Sequence, residues 1–312
     1  HAYEGFDLDV AADMARVRHL LDSAAEYLEN AFLYHFPPEL RKPASPLDVF
    51  LTAASRSEYQ PLACTLLKVA HIVNHIEARE LRFRLPASED AIFRSTEEAV
   101  VRVVDALVAA GAPVVSFKGG RKTRYSLLTK VLAKKHTIAA PIFDRLRFRI
   151  VTREALDILP ILVHLKDRLF PFNYIVPGQS RNDLLPPSRI LEALPHLEGL
   201  VPKLQYRIEE AEDAEAFNRY SGSDFRMLNF IADMPLRVDD LVADLRDSRM
   251  GGLGTLIYSV VEFQLFDQAT WEANEQGESS HERYKDRQKW DVVRRLMYGA
   301  GPGGLASGPG GR

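Results

Sequence analysis

From Leu8 onward, apolar residues recur at spacings of three and four. Leu8, Val10, Ala11, Met14, Val17, Leu20, Leu21 and Ala24 share one stripe, which predicts a helix over residues 8–34. The run PPELRKPASP at 37–46 interrupts the pattern. A second helical region spans 47–81 and gives way to RFRLPASED. Ser88 is placed to cap a helix from Glu89, with a restart near Ser95 that would set Glu97 and Glu98 in a first turn.

From residue 96 the pattern alternates between helix and strand. A helix over 96–110 stops at Gly111, and Pro113–Phe117 forms a strand that runs into Gly119-Gly120. Next come a helix from Thr123, a strand over 144–152, a helix over 153–168 and a strand at FNYIVP. Residues 178–217 read as an insertion: they hold Pro186-Pro187, the short helical stretch ILEALPHL and the acidic run EEAEDAEA, a solvated face. A strand and turn over 225–238 precede the last strand, TLIYSVVEFQLF, which Gly251, Gly252 and Gly254 introduce. A helix over 268–297 and a flexible Gly-rich tail from 299 end the chain. The class is α+β: an all-helical region over 1–95, then a mixed domain over 96–298.

Two strands carry informative alternation. In DRLRFRIVT, Leu146, Phe148 and Ile150 face inward while Arg145, Arg147 and Arg149 face the other way. Strict alternation would put Asp144 on the apolar face, so a bulge or turn at the strand entry is assumed to re-aim it. In the last strand Val261, Phe263 and Leu265 point one way, and Glu262 and Gln264 the other. A carboxylate and an amide on an apolar strand need partners; they meet a basic group or form the open side of a site.

Composition narrows the classes. The 312 residues are 46% hydrophobic and 27% charged, with a formal net charge of −3, which excludes a globally basic nucleic-acid coat. The single cysteine, Cys64, lies in LACTLLKVA and is expected to be a buried, inert thiol. No apolar run approaches the ~18 residues of a membrane span. The N-terminus lacks a secretory layout, so a cytoplasmic location is the default. His71 and His75 stand one turn apart, a spacing open to metal binding, but no third ligand is near in sequence and a packing role is expected.

Charge is local. Between Ser116 and Phe143 there are seven lysines or arginines and no carboxylate. Lys122, Ser126, Lys130 and Lys134 fall every fourth residue on one helix face, which is either a solvated lysine face or a phosphate-binding column. A positive field that ends on Asp144 suits polyphosphate with a divalent metal.

Taken together, these motifs resemble the synthetase domain of RelA/SpoT-type alarmone synthetases. Gly120–Lys130 (GRKTRYSLLTK) resembles that family's ATP signature. DRLRFRIV resembles its metal-aspartate strand, with Arg149 matching the arginine five residues on. VEFQLFD at 261–267 resembles its Glu-x-Gln strand, and His281 and Lys285 its His-x-x-Tyr-Lys helix. The resemblance covers about residues 115–290. The family's hydrolase domain would bring a His-Asp dipeptide, which this chain lacks.

The resemblance implies a nucleotidyltransferase-like mixed sheet flanked by helices, and Mg²⁺-dependent transfer of pyrophosphate from ATP to a nucleotide 3′-hydroxyl. Lys122, Arg121, Arg124, Ser126, Lys130 and Arg149 would bind the ATP phosphates. Asp144 and Glu262 would hold the metal, with Glu262 alternatively the base and Gln264 an orienting group. The family's acceptor loop, Asn-Gly-Tyr-x-Ser-Leu-His, finds its nearest counterpart in Asn218–Ser223, so Asn218 and Tyr220 are the acceptor-side candidates. The arginine expected after the Glu-x-Gln strand is Phe266, and Asn173 replaces an aspartate. The altered acceptor half leaves open an acceptor other than GDP or GTP, an RNA 3′ end among them. It also leaves open a nucleotide-binding regulator without turnover, or an RNA-binding module. The N-terminal helices could support a homo-oligomer.

Overall fold

The computed structural model describes residues 5–133, 146–200, 225–240, 252–276, 286, 289–290 and 292–293. The expected α+β class is what it shows, with a helical N-terminal region followed by a five-stranded mixed sheet and helices. The chain forms two compact units, 1–103 with 164–174 and 233–259, and 104–163 with 175–232 and 260–312.

In the first unit, helix α1 (Ala11–Phe32) turns Val17, Leu20, Leu21, Ala24 and Leu28 inward, the stripe read from its three-and-four spacing. They meet Leu66 and Ala70 of α4 (Gln60–Arg84) and Val49 of α3 (Pro46–Ala54). Each buried valine or leucine side chain among them stabilises by ~1.5–3 kcal/mol. A four-residue helix α2 (Pro38–Arg41) lies within the proline-rich break. Ser45 caps α3 in a capping box with Asp48. The expected helical region at 47–81 is therefore two helices, separated by residues 55–59.

Helix α5 (Glu89–Ala109) begins as expected at Ser88, whose Oγ accepts from the Ala91 N–H at 3.1 Å. It runs unbroken through Ser95, so no second cap forms there. Gly111, at φ 86°, supplies the left-handed conformation after its last turn.

His71 and His75 of α4 are packed against tyrosines. His71 stacks on Tyr174 with centroids 5.3 Å apart, and His75 on Tyr258 at 4.0 Å. His75 Nδ1 also lies 3.4 Å from Asp233.

The second unit carries the sheet positions that matter for chemistry. Strands β1 (Val114–Arg121), β2 (Leu146–Thr152), β3 (Arg181–Asn182), β4 (Leu228–Arg237) and β5 (Leu256–Asp267) stand in the order β1-β2-β5-β4-β3. β1 pairs antiparallel with β2, β2 parallel with β5, and β3 antiparallel with β4. The segment read as an insertion thus supplies an edge strand, followed by a helix α8 (Pro187–Ala193). β4 and β5 contribute residues to both units.

One face of the sheet carries a row of aromatic rings. Phe117 stacks on Phe148 at 5.9 Å, Phe148 on Phe263 at 5.8 Å, and Phe263 on Phe230 at 5.3 Å. Phe148 and Phe263 are fully buried and face each other in the β2–β5 register. Because side chains alternate, this row forces their neighbours onto the opposite face.

Three further expectations are corrected. Cys64 is exposed, because Ala63, Leu66 and Ala70 take the inner side of α4 and Cys64 falls about 100° around from Ala63. FNYIVP is not a strand: Phe172–Tyr174 is a 3-10 turn, and Ile175 makes one isolated bridge to Ala232. The helix expected over 153–168 starts as a 3-10 turn at Ala155–Asp157, followed by α7 (Ile158–Arg168). Helix α6 (Arg124–Ala133) follows β1, and helix α9 (Gln268–Gln276) follows β5.

Candidate functional site

The sheet face opposite the phenylalanine row is built from charges and amides. In register, Lys118 lies across from Arg149, Arg149 from Gln264, and Arg147 from Glu262. Residues paired this way share a face, so three cations from two strands border a carboxylate and an amide on β5. β5 is the middle strand, which is why Glu262 and Gln264 are buried although polar.

Glu262 is held on both oxygens. Arg147 Nε donates to Oε2 at 2.8 Å, Gln264 Nε2 donates to Oε1 at 2.9 Å, and Asn229 Nδ2 approaches Oε1 at 3.4 Å. The basic group required by a buried carboxylate is therefore Arg147.

Among the described residues, two polar atoms on this face are buried without a hydrogen-bond partner: Arg149 Nε, a donor, and Asn229 Oδ1, an acceptor. Such orphans are costly and call for a ligand group or water. Burial, and then the neighbouring Arg147, hold the Arg149 guanidinium below the ordinary arginine range, with Glu275 and Glu262 opposing. Toward the end of β5 the face becomes apolar, where Val151, Met227 and Phe266 pack with Phe225 and Trp271. The guanidinium of Arg149 lies there over the Trp271 ring, 4.2 Å from its centroid.

Of the phosphate-binding candidates, Arg121 is the exposed last residue of β1 and Lys122 follows it directly. Arg124, Ser126 and Lys130 belong to α6, whose start is fixed by Thr123: its Oγ1 accepts from the Ser126 N–H at 3.3 Å. Asp144, Asn218, Tyr220, His281 and Lys285 lie outside the described residues. Among the described residues, no group of three His, Cys, Asp or Glu side chains could hold a metal ion. Glu262 alone does not make a metal site.

Lys118, Arg147, Asn229 and Trp271 are site residues that the sequence reading did not assign. Asn229 carries the same signal as Glu262, a polar residue inside an apolar strand.

Among solved structures, the chain is similar to the small alarmone synthetase 1 from Bacillus subtilis, at 16% identity over 66% of this chain and 86% of that one, with a TM-score of 0.34. It is also similar to the small alarmone synthetase 2 from Bacillus subtilis, at 14% identity over 68% and 93%, TM-score 0.35. A GTP pyrophosphokinase family protein from Streptococcus pneumoniae matches at 12% identity over 66% and 84%, TM-score 0.33. No protein-family model matches the chain, and no curated protein does either.

Proposed function

We propose that the chain transfers pyrophosphate from ATP to the 3′-hydroxyl of a nucleotide. The observation that carries this reading is the β1–β2–β5 register, which sets Lys118, Arg147 and Arg149 beside Glu262 and Gln264 on one face. The cations suit the donor phosphates, with Lys122, Arg121 and the α6 residues Arg124, Ser126 and Lys130 completing the clamp. In the reaction the 3′-oxygen bonds to the β-phosphorus, the bond from that phosphorus to the bridging oxygen of the α-phosphate breaks, and AMP leaves. Glu262 orients the hydroxyl and accepts its proton. Gln264 and Arg147 fix the carboxylate for that task.

Mg²⁺ belongs to this proposal: Asp144 and the ATP phosphates would hold it, with Glu262 as the alternative ligand where it does not serve as the base, and it would neutralise charge on the transferring group. The acceptor end is assigned to the side of β4, where Asn229 and Phe225 lie. The departures from the acceptor pattern at Asn218–Ser223, Phe266 and Asn173 favour an acceptor other than GDP or GTP.

The test is incubation with ATP, Mg²⁺ and a panel of nucleotides and RNA 3′ ends, read as AMP release together with a pyrophosphorylated acceptor. Glu262→Gln and Asp144→Asn are each expected to abolish it, and activity surviving both changes sinks the mechanism. A second reading, nucleotide binding without turnover, is favoured by the engagement of both Glu262 oxygens. It predicts saturable binding by calorimetry with no product from any acceptor.

A further inference from the structure

The two half-buried arginines of the site are held in different ways. Arg147 spends its Nε on Glu262 at 2.8 Å. Arg149 makes no ion pair with a carboxylate among the described residues; it lies with its guanidinium carbon 4.2 Å from the Trp271 ring centroid and 5.9 Å from that of Phe266. An aromatic face holds a guanidinium by its π surface and leaves the in-plane N–H groups uncommitted. A carboxylate partner would occupy those same N–H groups. Arg149 Nε is buried with no hydrogen-bond partner, so a donor of this arginine stands ready for an acceptor that the described side chains do not supply.

We infer that Trp271 is a positioning residue for triphosphate binding: its indole fixes the Arg149 guanidinium so that the in-plane N–H groups meet the phosphate oxygens of ATP. Phe266 extends the same platform. Trp271 comes from α9 and Phe266 from the end of β5, so the platform is built by the chain immediately after Glu262 and Gln264. The inference rests on the reading of this face as the donor-phosphate site. It assigns Trp271 no contact with the substrate.

The chain has two tryptophans, Trp271 and Trp290. In a Trp290→Phe background, indole fluorescence reports on Trp271 alone. Titration with ATP, and separately with inorganic tripolyphosphate, is expected to change that emission saturably. Arg149→Met should abolish the response. Trp271→Leu should weaken ATP binding, measured by calorimetry, by about tenfold, whereas Trp271→Phe keeps a ring under the guanidinium and should stay within about threefold of the parent. Thermal melts of both variants identify any loss of fold, and the Trp271→Phe comparison holds the test open if the leucine variant does not fold. Equal ATP affinity in Trp271→Leu and the parent overturns the inference, as does a Trp271→Phe variant as weak as a well-folded Trp271→Leu. Binding that depends on Trp271 without AMP release would uphold this inference while refuting pyrophosphate transfer. AMP release with an ATP affinity indifferent to Trp271 would do the reverse.

Discussion

Arg147 and Glu262 lie directly across from each other on adjacent parallel strands, and the arginine Nε donates to the carboxylate at 2.8 Å. The pair is partly exposed on the arginine side and buried on the glutamate side, with side-chain exposures of 24% and 8%. That asymmetry separates two effects. Arg147→Met leaves a buried carboxylate without its guanidinium and should cost about 3 kcal/mol of stability. Glu262→Gln keeps the shape and should cost less stability, but it should lower AMP release by about 100-fold or more. Urea unfolding and AMP release on the same two variants check both halves. A Glu262→Gln enzyme at full rate refutes the role given to this carboxylate.

Phe263 stands at the centre of the aromatic row and is fully buried between Phe148 and Phe230. Phe263→Ala should cost about 3–5 kcal/mol, from lost transfer energy together with the cavity left behind. Phe263→Leu retains most of the volume and should cost about 1.5 kcal/mol. The expected signature is a lower denaturant midpoint with an unchanged slope. Because the row dictates which side chains face the site, the alanine variant should also blunt any response to ATP.

Lys122 follows the last residue of β1, ahead of the Thr123-capped start of α6. If it clamps donor phosphate, Lys122→Met should raise the KM for ATP by about 10- to 100-fold, the range for a lost hydrogen bond to a charged group. The KM for the acceptor should move little. An equal rise in both would place Lys122 elsewhere.

The site was partly legible before the fold was seen. Glu262 and Gln264 were legible because two polar residues in a period-two apolar strand have few explanations, and the Phe148–Phe263 pairing shows what forced them onto one face. Arg147 as the partner of Glu262 was not legible, since 115 residues separate them and only the strand register brings them together. The same holds for Trp271 over Arg149. FNYIVP misled because an apolar tetrad ending at Pro177 suits a turn as well as a strand, and here a single bridge at Ile175 is all it contributes to the sheet. Cys64 misled because its run is apolar nearly throughout, so periodicity could not tell the inner side of α4 from the outer.

The last prediction concerns the first unit, where Arg237 joins two carboxylates. Its Nη1 and Nη2 donate to Asp13 at 2.6 and 3.1 Å, and its Nε and Nη2 donate to Asp239 at 2.8 Å each. The two carboxylates raise the guanidinium pKa further above its ordinary value. Asp13 is buried and Asp239 largely exposed. Arg237→Ala strands the buried Asp13 and should cost about 3 kcal/mol. The hydrogen bond from Arg237 holds the Asp239 carboxyl below the ordinary carboxylate range, with burial opposing. A carboxyl depressed in the folded state contributes stability that is complete above the unfolded value of about 4 and is lost as pH falls through the lower folded value. Asp239→Asn should therefore lower the melting temperature by a constant amount between pH 5 and pH 8 (roughly the plateau expected from that linkage). The gap between variant and parent should then close as the pH drops below about 4. Melting curves of both proteins across this range decide it: a gap that persists undiminished into the acid limb means that the Asp239 charge is not what Arg237 stabilises.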